Sequence, residues 1–98
     1  MNVKEINYTT LQEWQKDSKI IQLVDVRTLE ERNRFNIGGI HIPISEFYTK
    51  ATRMLDKQIP VVLYCHSGIR SLNAAEYLLE NGYTEVYHLK KGILGIDK

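Results

Sequence analysis

The hydrophobic pattern divides the chain into strand-like and helix-like stretches that alternate along it. Residues 20–26 and 61–65 are almost wholly apolar and rich in β-branched side chains, which is typical of strands covered on both faces. Weaker strand patterns lie at residues 3–6, 40–43 and 85–89. The sequence therefore predicts about five strands, and Pro43 keeps residues 40–43 at the periphery because proline donates no ladder hydrogen bond.

Two capping boxes predict where the first two helices begin. Each pairs a threonine with a glutamate three residues later, first at Thr10 and Glu13 and then at Thr28 and Glu31. The first helix is expected to end near residues 17–18, and the second is expected to stop before the two glycines at 38–39.

Apolar residues at helical spacing predict two further helices. Ser45 is expected to cap the third helix, whose buried stripe should consist of Phe47, Ala51, Met54 and Leu55. The fourth helix, closed by the Asn-Gly pair at 81–82, should bury Leu72, Ala75, Leu78 and Leu79. Beyond the last strand, Gly92 and Gly95 are expected to loosen the tail.

Alternating strands and helices predict an α/β fold, with residues 1–98 forming one domain around a mostly parallel sheet flanked by helices. In open sheets of this kind, ligands bind beyond the carboxyl ends of the strands. Cys65 lies at such an end, so this edge is the first place to look for a functional site.

Composition narrows the possible functions. Thirteen basic and twelve acidic residues leave a net charge of +1, which argues against a dedicated nucleic-acid or anionic-membrane surface. The single cysteine excludes an intramolecular disulfide and a four-cysteine zinc site, and no metal is expected. Because the N-terminus is charged and no run approaches the roughly 20 apolar residues of a membrane span, we expect a cytoplasmic protein.

The candidate chemistry lies in the loop between the 61–65 strand and the fourth helix, Cys65-His66-Ser67-Gly68-Ile69-Arg70-Ser71. A short loop entering a helix aims N–H groups inward, and the helix N-terminus and Arg70 add positive charge. Each effect favours thiolate over thiol. A lone cysteine ending a buried strand is often an inert small hydrophobe. The glycine, the arginine and the two serines around this one favour a nucleophile.

Other polar residues near this edge have less definite roles. Asp25 and Arg27 follow the other apolar strand, and we expect them to pair and brace the loop rather than to bind substrate. Arg70 has two open possibilities: it holds an anionic substrate group, or it clamps Asp25 or the glutamates at 30–31. His66 is expected to face solvent rather than shuttle protons, while the histidines at 41 and 88 are expected to play no chemical part.

Three sequence blocks resemble the rhodanese-like, or single-domain sulfurtransferase, family. Residues 65–71 match its C-x-x-G-x-R loop, and L-V-D-V-R at 23–27 with glutamates at 30–31 is similar to its D-x-R-x-x-x-E segment. I-G-G-I-H-I-P at 37–43 is similar to its I-P-G-A-x-N-I-P stretch. Where relatives end in a Gly-Gly turn, an aromatic residue and a helix, residues 89–95 depart from the pattern, so a shortened C-terminal helix is expected.

The resemblance implies persulfide chemistry at Cys65 without a metal or organic cofactor. A small anionic sulfur donor such as thiosulfate would load Cys65, and cyanide, a thiol or a partner protein would accept the sulfur. The N–H groups of residues 66–70 would stabilise the terminal sulfur. The resemblance leaves the oligomeric state as a monomer or a weak homodimer.

Two alternative functions use the same loop. A rhodanese-like module could carry or sense sulfur, or bind a partner, without efficient turnover on small donors. Cysteine-dependent phosphatases have a similar cradle, but their signature places five residues between cysteine and arginine. Only four separate Cys65 from Arg70 here, which encloses a smaller space and makes phosphatase activity the weaker hypothesis.

Overall fold

Strands and helices alternate along the whole of residues 3–96, the part of the chain that the computed structural model describes. The strands are β1 (Lys4–Ile6), β2 (Gln22–Asp25), β3 (Ile40–His41), β4 (Val61–Tyr64) and β5 (Val86–Leu89). The helices are α1 (Tyr8–Lys16), α2 (Leu29–Arg34), α3 (Ile44–Met54) and α4 (Ile69–Glu80), followed by a one-turn 3₁₀ helix at Gly92–Gly95.

The five strands form one parallel sheet in the order β1-β5-β4-β2-β3. Leu23 on β2 lies opposite Val62 on β4, and Leu63 lies opposite His88 on β5. The short strand β3 pairs only with β2 at one edge, as the proline after it predicts. This arrangement confirms the predicted α/β fold with a parallel sheet of five strands.

Helices cover both faces of the sheet because the side chains of a strand alternate between its faces. One core packs Val24, Leu63 and Cys65 against α3 and α4 through side chains that include Phe47 and Leu78. The other core joins the next positions on the same strands to α1 and the 3₁₀ helix through Leu23, Val62, Tyr64, Leu11 and Ile93. Since β2 and β4 lie between these layers, their carboxyl ends have fixed positions.

Two of the predicted helix starts are wrong. Helix α1 begins at Tyr8 rather than after Thr10, because the side chain of Asn7 accepts a hydrogen bond of 2.8 Å from the Thr10 N–H. Helix α3 begins at Ile44 after Pro43, so Ser45 lies inside it, and no side chain caps the helix. The box of Thr28 and Glu31 is confirmed, with both reciprocal hydrogen bonds present.

Two apolar residues that were predicted to be buried are exposed. Met54, at the end of α3, is 49% exposed, and Leu72 on α4 is 39% exposed. Ser71 takes the place expected of Leu72, because the buried face of α4 follows the series Ser71, Ala74, Ala75 and Leu78. The buried face was predicted from the spacing of apolar residues, and this criterion does not detect a buried serine. The predicted strand at 20–26 is also shorter, since β2 spans only Gln22–Asp25.

The tail after β5 is more ordered than predicted. Gly92 and Gly95 do not loosen it but lie in the 3₁₀ helix, whose Ile93 side chain is buried. Within residues 3–96, no helix combines the length and apolar character that crossing a membrane requires.

Candidate active site

The loop after β4 places Cys65 at the carboxyl edge of the sheet, directly before helix α4. Gly68 is the residue that precedes this helix, and its φ of 103° lies in the left-handed region, which side chains other than glycine rarely adopt. The turn at Gly68 reverses the chain within three residues of Cys65. It thereby brings the first turn of α4 over the sulfur atom.

Two backbone N–H groups converge on the Cys65 sulfur. The Gly68 N–H donates to Sγ at 3.0 Å and the Ser71 N–H donates to it at 3.4 Å. The side-chain Oγ of Ser71 lies 3.5 Å from the same Sγ. These donors belong to the N-terminus of α4, where the positive end of the helix dipole favours an anion. The loop is therefore built to hold negative charge at this atom.

The thiol lies beneath a loop whose outer residues face solvent. Cys65 is only 1% exposed, whereas His66, Ser67 and Ile69 are exposed. His66 thus lies where the sequence predicted it.

The C-terminal 3₁₀ helix closes the loop from its other side, a role that the sequence analysis missed. The N–H of Ile93 donates to the carbonyl of Cys65 at 2.9 Å, and that of Leu94 donates to the carbonyl of His66 at 3.0 Å. A Cβ atom on Gly92 would lie 2.2 Å from the Cys65 carbonyl oxygen. Gly92 is therefore required for the tail to approach the loop.

Arg70 binds Glu31 rather than projecting freely into the mouth of the loop. Its two terminal nitrogens contact the two carboxylate oxygens of Glu31 at 2.7 and 2.8 Å, which joins α4 to α2. The hydrogen bonds from Arg70 lower the pKa of Glu31 to about 2. The same bonds raise the pKa of Arg70, and the nearby Cys65 contributes in the same direction. The sequence left open whether Arg70 holds an anionic substrate group or clamps an acidic side chain. The structure shows the second arrangement, with Glu31 as the clamped residue.

Asp25 and Arg27 form a buried ion pair at the end of β2. Arg27 donates two side-chain hydrogen bonds of 3.0 Å to Asp25, and Arg32 lies 3.3 Å from the same carboxylate. Burial acts to lower the pKa of Arg27, but the hydrogen bonds and charge of Asp25 raise it. Arg27 also donates to the Phe35 carbonyl at 2.6 Å. These contacts hold α2, and α2 is joined to the Cys65 loop by the bond between Glu31 and Arg70.

The two histidines that were expected to be chemically silent differ in position. His41 lies on β3, where its Nε2 is 2.7 Å from the Arg27 carbonyl. His88 lies on β5 beside the loop, with Nδ1 3.1 Å from Ser71 Oγ and Nε2 3.1 Å from Glu5 Oε2. No motif places His88 near Cys65. Only the alignment of β5 with β4 reveals the proximity.

The site offers a nucleophile with oriented anion-binding donors. Across residues 3–96, no cluster of three or more His, Cys, Asp or Glu side chains is arranged to bind a metal ion. Cys65 can act as a thiolate because the N–H groups of Gly68 and Ser71 already point at its sulfur. The chemistry that this arrangement supports is nucleophilic attack by sulfur.

Known proteins are similar to this chain in sequence. The model of the rhodanese-like domain matches residues 7–98. Thiosulfate sulfurtransferase GlpE of Shewanella oneidensis is 36% identical over 76 residues, which cover 78% of this chain and 75% of that protein. A tRNA uridine(34) hydroxylase of Synechocystis is 33% identical over 98 residues, covering 89% of this chain but only 34% of that protein. The chain therefore spans about a third of that relative's length.

A solved structure has the same architecture. The crystal structure of a rhodanese-like domain protein from Staphylococcus aureus superposes with a TM-score of 0.83 at 27% identity. The superposition covers 95% of this chain and 90% of that one.

Proposed function

The chain belongs to the rhodanese-like domain family, and from that premise we propose that it is a sulfurtransferase whose Cys65 carries sulfane sulfur as a persulfide. The observation that carries the proposal is the pair of N–H groups of Gly68 and Ser71 aimed at Sγ. They stabilise a thiolate before reaction and the same sulfur as a leaving group after it. A positioned thiolate of this kind suits a two-step transfer.

The proposed cycle has two displacements on sulfur. The Cys65 thiolate attacks the outer sulfur of thiosulfate, a sulfur–sulfur bond forms, and sulfite leaves with the electron pair of the broken bond. Cyanide or a thiolate then attacks the outer sulfur of the persulfide, and Cys65 departs as the original thiolate. No net oxidation or reduction of the protein occurs over the cycle.

The remaining loop residues have supporting roles in this proposal. We expect the N–H groups of residues 66–70 to stabilise the outer sulfur of the persulfide. Ser67 is exposed at the mouth and Ile69 begins α4. Arg70 orients the start of α4 through Glu31, so its full charge is not free to bind the donor. Asp25 and Arg27 hold α2 and thereby hold Glu31.

The experiment that tests the proposal is steady-state thiocyanate formation from thiosulfate and cyanide. Initial rates measured against both substrates should give the parallel double-reciprocal lines of a ping-pong mechanism. Met54→Gln, a change at an exposed site on α3, is the matched control and should retain the wild-type rate. A rate no higher than that of Cys65→Ser would contradict the proposal of an enzyme.

A second candidate function, a sulfur carrier or sensor without efficient turnover, is favoured by the burial of Cys65. In that case thiosulfate or a persulfide donor should still load the cysteine once, but thiocyanate should not accumulate over many cycles. Phosphatase activity is the weakest hypothesis because of the short loop. Hydrolysis of para-nitrophenyl phosphate that Cys65→Ser abolishes would revive it.

The sulfur donor, the acceptor, the location in the cell and the oligomeric state stay predictions. They comprise a small anionic sulfur donor, a protein acceptor, a cytoplasmic location and a monomer or weak homodimer, with no nucleic acid or membrane as partner. Mass spectrometry of proteins that gain sulfur from the loaded domain would identify an acceptor. Light scattering at several concentrations would measure the oligomeric state.

A further inference from the structure

His88 is a buried histidine placed between a carboxylate and the neighbour of the nucleophile. It is 3% exposed, and its position on β5 is in register with Glu5 on β1 and Leu63 on β4. Nε2 lies 3.1 Å from Glu5 Oε2, which is about half-exposed at the sheet edge. Nδ1 points to α4 and lies 3.1 Å from Ser71 Oγ.

Ser71 connects this histidine to the thiol. Its side chain is fully buried, and its Oγ lies 3.5 Å from Cys65 Sγ and 3.1 Å from the carbonyl oxygen of Gly68. A hydroxyl has a single proton but can accept two hydrogen bonds. In the structure the Ser71 hydroxyl donates to the Gly68 carbonyl. Rotated about its C–O bond, it can accept from the thiol while donating to His88, or donate to a thiolate while accepting from His88.

We propose that Ser71 and His88 form a proton relay that converts the Cys65 thiol to the thiolate, an inference that rests on the proposed function. The S–H bond of Cys65 breaks and its proton passes to Ser71 Oγ. The former hydroxyl proton of Ser71 passes to His88 Nδ1, so the hydroxyl is conserved. The product is a thiolate and an imidazolium, with no change in the total number of protons.

The charges around the relay support the separated pair. The Nε2–H of His88 faces Glu5, whose carboxylate offsets the positive charge that the imidazole gains. On the side of the thiol, the N–H groups of Gly68 and Ser71 receive the negative charge. Arg70 on α4 contributes less than its position suggests, because Glu31 already binds it. His88 is therefore the base that Ser71 connects to the thiol, and Glu5 is the counter-ion for the imidazolium that it would form.

A merely structural histidine would make the same hydrogen bonds without taking a proton. The variant His88→Asn separates the two roles, since an amide near the position of Nδ1 can hydrogen-bond Ser71 but does not titrate. His41→Asn is the matched control, because it makes the same change at a hydrogen-bonded histidine on β3, at the far edge of the same sheet.

The test is the pH dependence of Cys65 alkylation by iodoacetamide, which reports thiolate and needs no sulfur transfer. In His88→Asn, the midpoint of the rate profile should rise by about one pH unit, which lowers the rate about tenfold at pH values below both midpoints. His41→Asn should keep the wild-type midpoint. An unchanged midpoint in folded His88→Asn, or an equal rise in both variants, would overturn the relay.

A second measurement does not depend on the folding of His88→Asn. The ring nitrogens of His88 can be titrated by NMR in the wild type and in Cys65→Ser. The midpoint for His88 should be lower in Cys65→Ser because the thiolate that stabilises the imidazolium is absent; equal midpoints would refute the relay. Failure of the proposed function would instead appear as a protein with the predicted alkylation profile that transfers no sulfur.

Discussion

The carboxyl ends of the neighbouring strands β2 and β4 both carry functional side chains, but the two side chains have different partners. The Asp25 carboxylate is bound by cationic side chains, whereas the Cys65 sulfur is bound by backbone N–H groups. At the end of β2, Asp25 is fully buried and its oxygens are bound by Arg27 and Arg32. At the end of β4, the sulfur of Cys65 receives two N–H groups and faces a loop whose outer residues are exposed.

The difference shows how one sheet edge supports both rigidity and reaction. Opposite charges at the β2 end bind one another, so that end has no capacity left for a ligand. The loop after β4 points the N–H dipoles of Gly68 and Ser71 at Cys65 Sγ, and no carboxylate among residues 3–96 neutralises them there. A negative charge on this sulfur is therefore stabilised. Glu31 and Arg70 join the two ends, so the rigid one positions the reactive one.

The largest expected effect comes from removing the sulfur itself. In Cys65→Ser, thiocyanate formation should fall to the background rate, while the N–H groups of Gly68 and Ser71 should bind the new hydroxyl. Urea unfolding should therefore show a loss of no more than about 1 kcal/mol. Turnover that persists in this variant would contradict the assignment of Cys65.

Breaking the β2 end should affect stability more than chemistry. Asp25→Asn leaves the buried guanidinium of Arg27 without its counter-ion, and we expect a loss of about 3–5 kcal/mol in urea unfolding. The alkylation rate of Cys65 in the folded fraction should fall far less than stability, because the N–H groups on Sγ come from Gly68 and Ser71 and the β2 end reaches them only indirectly, through Glu31 and Arg70. A thiol whose reactivity falls in proportion to stability would mean that the β2 end, rather than the loop's own N–H groups, sets the reactivity of Cys65.

Gly92→Ala tests how the tail supports the reactive end. Gly92 has a φ of +54°, and an added Cβ would meet the Cys65 carbonyl oxygen at 2.2 Å. The strain and the clash should cost about 2–4 kcal/mol. Because the carbonyl that must move belongs to Cys65, alkylation should also change. Wild-type stability and reactivity would show that the tail does not pack as described.

The smallest expected effect concerns the link between the two ends. Glu31→Gln can retain the capping box of α2 but loses the charge that binds Arg70, which should cost about 1–2 kcal/mol at neutral pH. Because folding lowers the pKa of Glu31 from 4.5 to about 2, its contribution is present above pH 4.5 and lost as the pH falls toward 2. The difference in unfolding free energy between the wild type and Glu31→Gln should therefore vanish as the pH falls from 4.5 to about 2. A pH-independent difference would contradict the ion pair.

The sequence predicts the sheet and the position of Cys65 at its carboxyl edge well, because both leave local signals. Runs of β-branched residues mark β2 and β4, and Cys65 is followed within six residues by the glycine, arginine and serine that shape its loop. The capping box at Thr28 is equally local and is confirmed.

The features that the sequence missed arise from contacts between distant segments. Ser71 replaces Leu72 on the buried face because the thiol, 3.5 Å away, is a polar neighbour. Gly92 looks like a flexible tail residue until the 3₁₀ helix packs on the loop. Glu5 and His88 are 83 positions apart, and only the pairing of β1 with β5 makes them partners. Periodicity cannot detect such pairs because strand order is decided by the whole fold.

The most direct test of the central claim is the intact mass of the protein after incubation with thiosulfate. We expect a gain of one sulfur atom, mapped by peptide analysis to Cys65, that cyanide removes and releases as thiocyanate. Cys65→Ser treated in the same way should show no gain. A wild-type protein whose mass stays unchanged with both thiosulfate and a persulfide donor would contradict the claim that Cys65 carries sulfur.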